Sequence, residues 1–574
     1  MRKSWIQLYA PFLVLMMVQA MFIAVSPSRG PGQQELNTAG LSSGPGGDVD
    51  AGGAEVAVDS SGVPIAEGGG AVAGAAGTRS TGPGGVTGGT SAGGGRLAAA
   101  AGDTSHCKEG MQVKLIVVNP APCVPKFSGD NGGATYQGVN KDTIKVIRVT
   151  SIPSALVNAA LAPKGLATSQ EDSDAFDKVA WDFLQKHYET YGRKIAWENV
   201  ELDCKTTPPD YDKCNAAAQE VVKRKPALVI WITSLYASVF DIWAKAGIPS
   251  IGGSAFDEKF YEGRRPYRYD IAMDGTEAAG HIGEYYCKKM AGKNVSHSGT
   301  VVHPEIGNRN AVKRKLGIIV PDIEANVLTA KAVASKVKAC GGGDVLLSTY
   351  ASNIETATQQ AQDTVTTLIQ NKVTSVTCMC DPIAPAFFTK GMTDNQYYPE
   401  FLLPGLGLLD YDLLGQLYSA PQMQHAFGPS HLSANNQVPL DDTDAALVWR
   451  AMGKSGHPCG NNGCGLNWAF INAAGIAIQA AGPNYNPLNL ERGMLSLPPS
   501  NPFEPKRNPK GVLYKYGPGD YTGTSDVREV YWSATTTARQ DNSSGAYIAT
   551  NGGARYELGK WPSNGLSAIP VATQ

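Results

Sequence analysis

Short apolar runs alternate with stretches of helical length from Thr143 onward. The first four runs are rich in β-branched residues, end in small or polar residues, and lie at 143–150, 200–204, 226–233 and 249–254. Such runs are typical of parallel strands that helices cover on both faces. The alternation therefore predicts an α/β fold built on a parallel sheet.

A second series of the same kind follows in the chain. We predict strands at 316–321, 345–349, 373–379 and 401–406, and helices at 327–340, 355–370 and 383–390. The segment 267–273 leads into this series, and 423–429 is expected to lead the chain back. The helices predicted at 441–452 and 466–481 have no strand series of their own. Two parallel α/β lobes with two hinge crossings are therefore expected.

Small hydroxyl residues follow several predicted strands of the first lobe. In an open α/β sheet, ligands bind outside the carboxyl ends of the strands. Ser151, Thr233, Ser234 and Ser254 lie at such ends. We therefore expect these residues to converge on one crevice, which favours binding over catalysis.

The N-terminal residues 1–29 have the pattern of an export signal. Arg2 and Lys3 precede an apolar run of about 20 residues, which is long enough to span a membrane. The segment is either a cleaved secretion signal or an uncleaved signal anchor. Both alternatives predict an exported protein at the cell surface or in the periplasm.

Residues 30–105 have the composition of a disordered linker. They contain 23 glycines in 76 residues and no aromatic residue, so they cannot bury enough apolar surface to fold. The segment is either a flexible leash with a root-mean-square reach of about 50 Å or a low-complexity spacer of no particular length. The folded part is expected at 106–574, with the first lobe at about 106–270 and 430–525, the second at about 274–422, and a C-terminal hairpin at about 526–560.

All ten cysteines lie beyond the linker, which is typical of disulfides in an exported protein. Proximity predicts three short-range bonds, and the predicted helix ends place a fourth pair on one face. The four pairs are Cys107 with Cys123, Cys204 with Cys214, Cys459 with Cys464, and Cys287 with Cys340.

Two groups of cysteines leave alternatives open. Cys378 and Cys380 follow a predicted strand on the crevice side and form either a local disulfide or two free thiols. His457 lies close to Cys459 and Cys464, which raises the possibility of a metal site. Since no second ligand cluster has metal-binding spacing, the disulfide interpretation is favoured, and no metal or other cofactor is expected.

Five sequence segments, in this order and spacing, carry a resemblance to a known family. They are KDTIKV at 141–146, YGRKI at 191–195, VELD at 200–203, AGIP at 246–249 and KRKLGII at 313–319. From Cys107 to the C-terminus, the chain resembles the type I periplasmic binding proteins, especially the branched-chain amino acid and amide binding components of ABC importers. The resemblance implies a two-lobed fold that closes about a hinge on a ligand between the lobes.

In the first lobe, the resemblance implies a carboxylate site on two loops. The first loop is 233–236, where Ser234 would lie at a helix N-terminus, which favours anions, or would act as an ordinary helix cap. Thr233 and Tyr236 belong to the same loop. The second loop is 252–256, with Ser254 and Phe256. Its glycines either allow a ligand to approach the backbone or simply form a turn.

In the second lobe, the resemblance places acids and an aromatic residue near the ligand. Asp381 occupies the position of an acid that pairs with a ligand ammonium, although an Asp before Pro382 also starts turns. Asp322 occupies another acidic position, and Tyr350 is a candidate aromatic wall. The long connection at 152–173 forms either a lid or a surface wrap.

Three classes of function remain. The leading interpretation is a solute-binding protein that delivers a small polar solute to a membrane ABC permease, with membrane attachment through the N-terminal helix if that helix is retained. The alternative is a surface-anchored ligand sensor or adhesion module. An enzyme is disfavoured, because no Gly-x-Ser-x-Gly elbow, P-loop or dinucleotide fingerprint lies between a predicted strand and helix. Nucleic acid is not an expected partner, because 49 basic and 51 acidic residues give a net charge of −2.

Overall fold

The computed structural model describes residues 102–151, 154–204, 208–231, 236–253, 256–297, 299–305, 311–432, 438–500, 512–566 and 569. The predicted export signal at 1–29 lies outside the described residues. The predicted linker at 30–105 also lies outside them, except for its last four residues.

The first sheet has five parallel strands in the order β2-β1-β3-β4-β5. The strands are β1 (Thr143–Ser151), β2 (Lys194–Leu202), β3 (Leu228–Trp231), β4 (Ser250–Gly252) and β5 (Arg268–Tyr269). Every residue of β3 and β4 is buried, as expected for inner strands with helices on both faces. The predicted parallel α/β class is confirmed for this lobe.

The second strand was predicted at 200–204, and this position was wrong at its start. β2 begins at Lys194 and pairs with β1 from Lys194 to Leu202. β2 lies at the edge of the sheet, and exposed Lys194 and Glu201 interrupt its apolar pattern. The apolar pattern that predicts a buried strand is therefore recognisable only near the end of β2.

The second sheet is mixed. Its strands are β6 (Leu316–Pro321), β7 (Leu346–Tyr350), β8 (Ser375–Cys378), β9 (Glu400–Leu402), β10 (Ala426–Ser430), β11 (Val527–Thr537), β12 (Ser544–Ala549) and β13 (Arg555–Tyr556). β6 to β10 are parallel, whereas β11 pairs antiparallel with β10, and β12 and β13 pair antiparallel with β11. The C-terminal strands thus extend the sheet of the second lobe.

The helices follow the strands in the order expected of crossover connections. They are α1 (Ala155–Leu161), α2 (Gln170–His187), α3 (Tyr211–Lys223), α4 (Ala237–Lys245), α5 (Glu258–Glu262), α6 (Gly275–Lys289), α7 (Gly299–Val302), α8 (Glu324–Ala339), α9 (Ala357–Gln370), α10 (Ala384–Asp394), α11 (Asp412–Gly415), α12 (Ala420–Met423), α13 (Asp444–Ala451), α14 (Gly465–Ala481) and α15 (Pro487–Leu495). α14 is almost entirely buried and packs on α2, β3 and β4. The chain therefore returns to the first lobe after β10.

Three chain segments connect the lobes, one more than the sequence indicated. They follow β5, follow β10 and precede β11. The first and third segments lie side by side: Asp270 forms a β-bridge with Thr522, and its carbonyl accepts a 3.0 Å hydrogen bond from Tyr516 Oη. Thr524 Oγ1 donates to the carbonyl of Ile271 at 2.9 Å. The third segment was missed because it contains no strand long enough to produce a periodic signal.

Five disulfides join all ten cysteines. They are Cys107–Cys123, Cys204–Cys214, Cys287–Cys340, Cys378–Cys380 and Cys459–Cys464. The third joins the C-terminal ends of α6 and α8, which pack against each other. Its loop spans 53 residues, and in the chain-entropy model a loop of this length gives about 4 kcal/mol of stabilisation.

One buried carboxylate joins residues at the starts of three strands, β6, β8 and β9, in the sheet of the second lobe. Glu400 is fully buried and accepts hydrogen bonds from Arg314 Nε at 2.8 Å and Arg314 Nη2 at 2.7 Å. It also accepts bonds from Ser375 Oγ at 2.6 Å and from the Ser296 amide at 2.9 Å. Four donors therefore offset the cost of burying this charge.

We predict that Glu400→Ala lowers the free energy of unfolding by about 3–5 kcal/mol, because Arg314 would remain buried without its counter-charge. Denaturant unfolding with the disulfides intact measures the change. Asp344→Ala is the control, since Asp344 and Lys338 form an ion pair with side chains 83% and 73% exposed, and little change is expected. Equal effects of the two substitutions would contradict the prediction.

Candidate functional site

The carboxyl ends of the two sheets lie next to each other. Leu166, which follows β1 in the chain, belongs to the hydrophobic cluster of the second lobe. In the opposite direction, Ala325 in the first turn of α8 packs on the cluster of the first lobe. We call the residues at the ends of β1, β3 and β4 the first edge, and those at the ends of β6, β7 and β8 the second edge. The crevice between the two edges is the candidate site.

On the first edge, Ser151 contacts a neighbouring strand end. The indole Nε1 of Trp231 donates a hydrogen bond to Ser151 Oγ at 3.3 Å. Trp231 is 1% exposed, whereas Ser151 is half-buried. Among the described residues, the Ser151 hydroxyl acts only as an acceptor, and a hydroxyl can also donate one hydrogen bond.

The glycines after β4 are required by the protein's own packing. Gly252 and Gly253 have φ angles of +109° and +113°. A Cβ on Gly252 would lie 2.1 Å from the Trp231 carbonyl oxygen, and one on Gly253 would lie 2.6 Å from Arg268 Nη2. Side chains are excluded by both the backbone conformation and these contacts.

A buried arginine supports this loop from below. Arg268 is 1% exposed; its guanidinium donates to the carbonyls of Gly252 and Tyr269 and lies 3.9 Å from the ring centroid of Phe240. Asp270 is its counter-charge, with Nη2 and Oδ2 separated by 3.8 Å. Sequence reasoning missed Arg268 because nothing in a single sequence marks a strand arginine as buried.

Two aromatic residues predicted to line the ligand site of the first lobe lie instead in the hydrophobic core of that lobe. Tyr236 is fully buried, and its hydroxyl accepts a 3.1 Å hydrogen bond from the Asp210 amide, which fixes the start of α3. Phe256 is 2% exposed and stacks on Phe260 with ring centroids 4.0 Å apart. Both side chains therefore help to position the loops of the first edge.

Three hydroxyl residues predicted at the first edge, Thr233, Ser234 and Ser254, lie outside the described residues. Their ligand role stays a prediction. The helix that follows the first of these loops is α4, whose N-cap position is Tyr236.

On the second edge, the structure brings together Asp322, Tyr350 and Asp381. The Asp322 amide donates to the Tyr350 carbonyl at 2.8 Å. The Tyr350 hydroxyl in turn donates to Asp381 Oδ2 at 2.8 Å. Tyr350 is 7% exposed, whereas both aspartates are exposed. Burial and the neighbouring Asp381 raise the pKa of Tyr350 well above its usual value, so its hydroxyl remains a donor.

Asp381 also starts the turn that leads into α10. Its Oδ1 accepts hydrogen bonds from the amides of Ile383 at 2.9 Å and Ala384 at 3.0 Å. The turn-starting role considered from the sequence is therefore present. The carboxylate is held by three donors while remaining exposed, which fixes its orientation for an incoming cation.

Buried carboxyl groups lie where the chain enters the second lobe. Asp274 is 7% exposed, and its Oδ1 accepts the Glu277 amide at 2.8 Å at the start of α6. Burial raises the pKa of Asp274 to about 6 and, together with nearby Asp520 and Asp274, raises the pKa of Glu277 to about 8. Burial also raises the pKa of Asp520. The raised pKa values of these groups predict a pH-dependent contribution to the stability of the folded protein.

Two kinds of feature are absent from the described residues. None of these residues form a group of three or more His, Cys, Asp or Glu side chains with the geometry of a metal site. Within the same part of the chain, no helix has both the length and the apolar character of a membrane span.

The fold matches known solute-binding proteins. A fatty acid ABC transporter substrate-binding protein from Thermomonospora curvata aligns with a TM-score of 0.51 and 12% identity, over 75% of this chain and 96% of that one. A possible leucine/isoleucine/valine-binding protein from Rhodopirellula baltica SH 1 aligns with a TM-score of 0.50 and 10% identity, over 71% and 96% of the two chains. No protein-family model and no curated protein sequence matches the chain. The chain therefore has the two-lobed fold of type I periplasmic binding proteins.

We predict that the free energy of unfolding falls as the pH rises from about 4.5 to 8. The reason is that the folded protein keeps a proton on Glu277, with its pKa of about 8, that the unfolded chain releases. Glu277→Gln should remove up to about 1 kcal/mol per pH unit from this slope. Denaturant unfolding at several pH values measures the slope.

Asp344→Asn serves as the control for the pH dependence. Lys338 lowers the pKa of Asp344 below its usual value. The contribution of Asp344 to the free energy of unfolding therefore changes only in acid, where it falls as the pH falls. An unchanged slope between pH 4.5 and 8 in Glu277→Gln would contradict the prediction.

Proposed function

We propose that this protein is an extracytoplasmic solute-binding protein that captures a small polar solute between its two lobes and presents it to a membrane ABC permease. The observation that carries the proposal is the meeting of the carboxyl ends of parallel strands from two lobes that three chain segments connect. Ligands of open α/β sheets bind at such edges. The fold shared with named substrate-binding proteins supports the same conclusion.

Binding would couple to lobe closure. A ligand first contacts one edge and then gains contacts with the other when the lobes come together. Only this difference in contacts favours the closed state. A permease that recognises the closed form would then distinguish loaded from empty protein.

The chemistry of the edges favours a ligand with both an acceptor and a cationic group, as in an amino acid or amide. Asp381 offers an oriented, exposed carboxylate for an ammonium group. Ser151 offers a hydroxyl donor, and the loops containing Ser234 and Ser254 would supply further donors. The two similar structures are described as a fatty acid ABC transporter substrate-binding protein and as a possible leucine/isoleucine/valine-binding protein.

We also propose export and the domain division drawn from the sequence. Residues 1–29 would direct export, 30–105 would form a linker, and 106–574 would form the binding domain. The five disulfides support an oxidising compartment outside the cytosol. The glycine-rich composition of the linker also favours the second candidate, a ligand sensor or adhesion module held at the surface, since solute transport does not require such a spacer.

A thermal-shift screen of the oxidised full chain tests the proposal. The panel consists of amino acids, amides, short carboxylates and fatty acids. At about 1,000 times its dissociation constant, a true ligand stabilises the protein by about 4 kcal/mol. For a chain of this length the expected rise in melting temperature is a few degrees.

Asp381→Asn distinguishes crevice binding from binding elsewhere. The Asn side-chain oxygen can still accept the amides of Ile383 and Ala384, so stability should hold. The apparent affinity for a cationic ligand, obtained from the melting shift, should fall at least about tenfold. Asp394→Asn is the matched control, because Asp394 lies at the far end of α10 and pairs with Lys390. If no compound shifts the melting temperature, or if both variants lose the shift equally, the proposal is contradicted.

A further inference from the structure

The segment between β1 and α2 reaches from the first lobe to the second. It leaves the first sheet at Ser151, on the crevice side, and its described part, residues 154–169, contains α1 and a short turn at Ala162–Lys164. Ser169 ends the segment by accepting the Asp172 amide at 3.0 Å as the cap of α2. Both ends of this segment therefore belong to the first lobe.

Two asparagine side chains of the first lobe hold the segment through its backbone carbonyls. Asn461 Nδ2 donates to the Lys164 carbonyl at 2.9 Å, and Asn462 Nδ2 donates to the Leu166 carbonyl at 3.1 Å. Both asparagines lie in the loop that the Cys459–Cys464 disulfide closes. This loop precedes α14 directly, so the attachment rests on a buried helix of the first lobe.

Side chains of the same segment contact the second lobe. Leu166 is 6% exposed and belongs to the hydrophobic cluster that contains Tyr350, Leu409 and Trp532. Leu161 packs against that cluster. These contacts place apolar surface of the first lobe's segment inside the core of the second.

An ion pair adds a second contact between the lobes. Lys164 Nζ lies 3.8 Å from Asp541 Oδ2, in the turn between β11 and β12. The two side chains are 24% and 12% exposed. Because the pair is partly buried, solvent and salt screen it less than a fully exposed pair.

We propose that residues 154–169 form a strap that holds the lobes together across the crevice. Opening of the crevice then requires Leu161 and Leu166 to leave the second-lobe cluster and Lys164 to leave Asp541. The hydrogen bonds from the Asn461 and Asn462 side chains to the strap's carbonyls keep the strap on the first lobe when the crevice opens. The strap therefore sets how readily the empty protein opens, which goes beyond the proposed function and does not depend on the identity of a ligand.

Hydrogen exchange of the oxidised full chain, without ligand, tests the strap. In Leu166→Asp, amides of the strap and of residues 403–418 should exchange at least about tenfold faster, because a charge cannot remain in the apolar cluster. Leu156→Asp is the matched control, since Leu156 lies on α1 but is 49% exposed. In this variant, amides of the strap and of residues 403–418 should exchange as fast as in the unaltered chain. Strand β1 is the internal reference for global unfolding.

The proposal is overturned if exchange in Leu166→Asp stays within about twofold of the unaltered chain. It is also overturned if β1 accelerates as much as the strap, because the effect would then be global. A swap of the two charges in the Lys164–Asp541 ion pair covers the case in which Leu166→Asp does not fold. Lys164→Glu and Asp541→Lys should each accelerate strap exchange roughly threefold, and the double variant should restore it. Acceleration in the double variant equal to the product of the two single effects would overturn the proposal.

Discussion

The placement of the two lobes depends on Asp270, where the first connecting segment begins. Its carboxylate accepts the amides of Ile271 and Ala272 at 2.7 and 3.2 Å and the hydroxyl of Tyr261 at 3.2 Å. Its backbone pairs with Thr522 in the third segment. Asp270 therefore joins the first lobe, the chain that leaves it and the chain that returns to the second lobe. Its carboxylate holds the first two, and its backbone holds the third.

Most of the fold was predictable because its signals are local. The strand series of the second lobe was placed within two residues at nearly every boundary, since buried parallel strands are short, continuous apolar runs. The edge strand β2 and the antiparallel strand β11 were harder. The position of β2 was obscured by alternating exposed charges, and the pairing of β11 with β10 depends on a contact across about 100 residues. No local pattern encodes that contact.

For the candidate site, the sequence predicted some groupings but no ligand role that the structure tests. Tyr350 and Asp381 were proposed as residues that follow strands at positions the family resemblance places near a ligand, and the structure joins them by a hydrogen bond. The buried Arg268 and the Leu166 contact were not found, because a sequence does not show which polar or apolar side chains fold inward. For Gly252 and Gly253, the structure favours the turn alternative over ligand approach, since neighbouring protein atoms already require glycine at both positions.

Closure of the two lobes on a solute is tested most directly by measuring a distance between the lobes. Spin labels on genetically encoded, non-cysteine residues at positions 178 and 390 would avoid the ten native cysteines. The native residues, Lys178 on α2 and Lys390 on α10, have side chains 69% and 71% exposed. Pulsed dipolar spectroscopy with a solute from the thermal-shift screen should show a distance distribution that shortens and narrows on binding. An identical distribution with and without a bound solute would contradict closure.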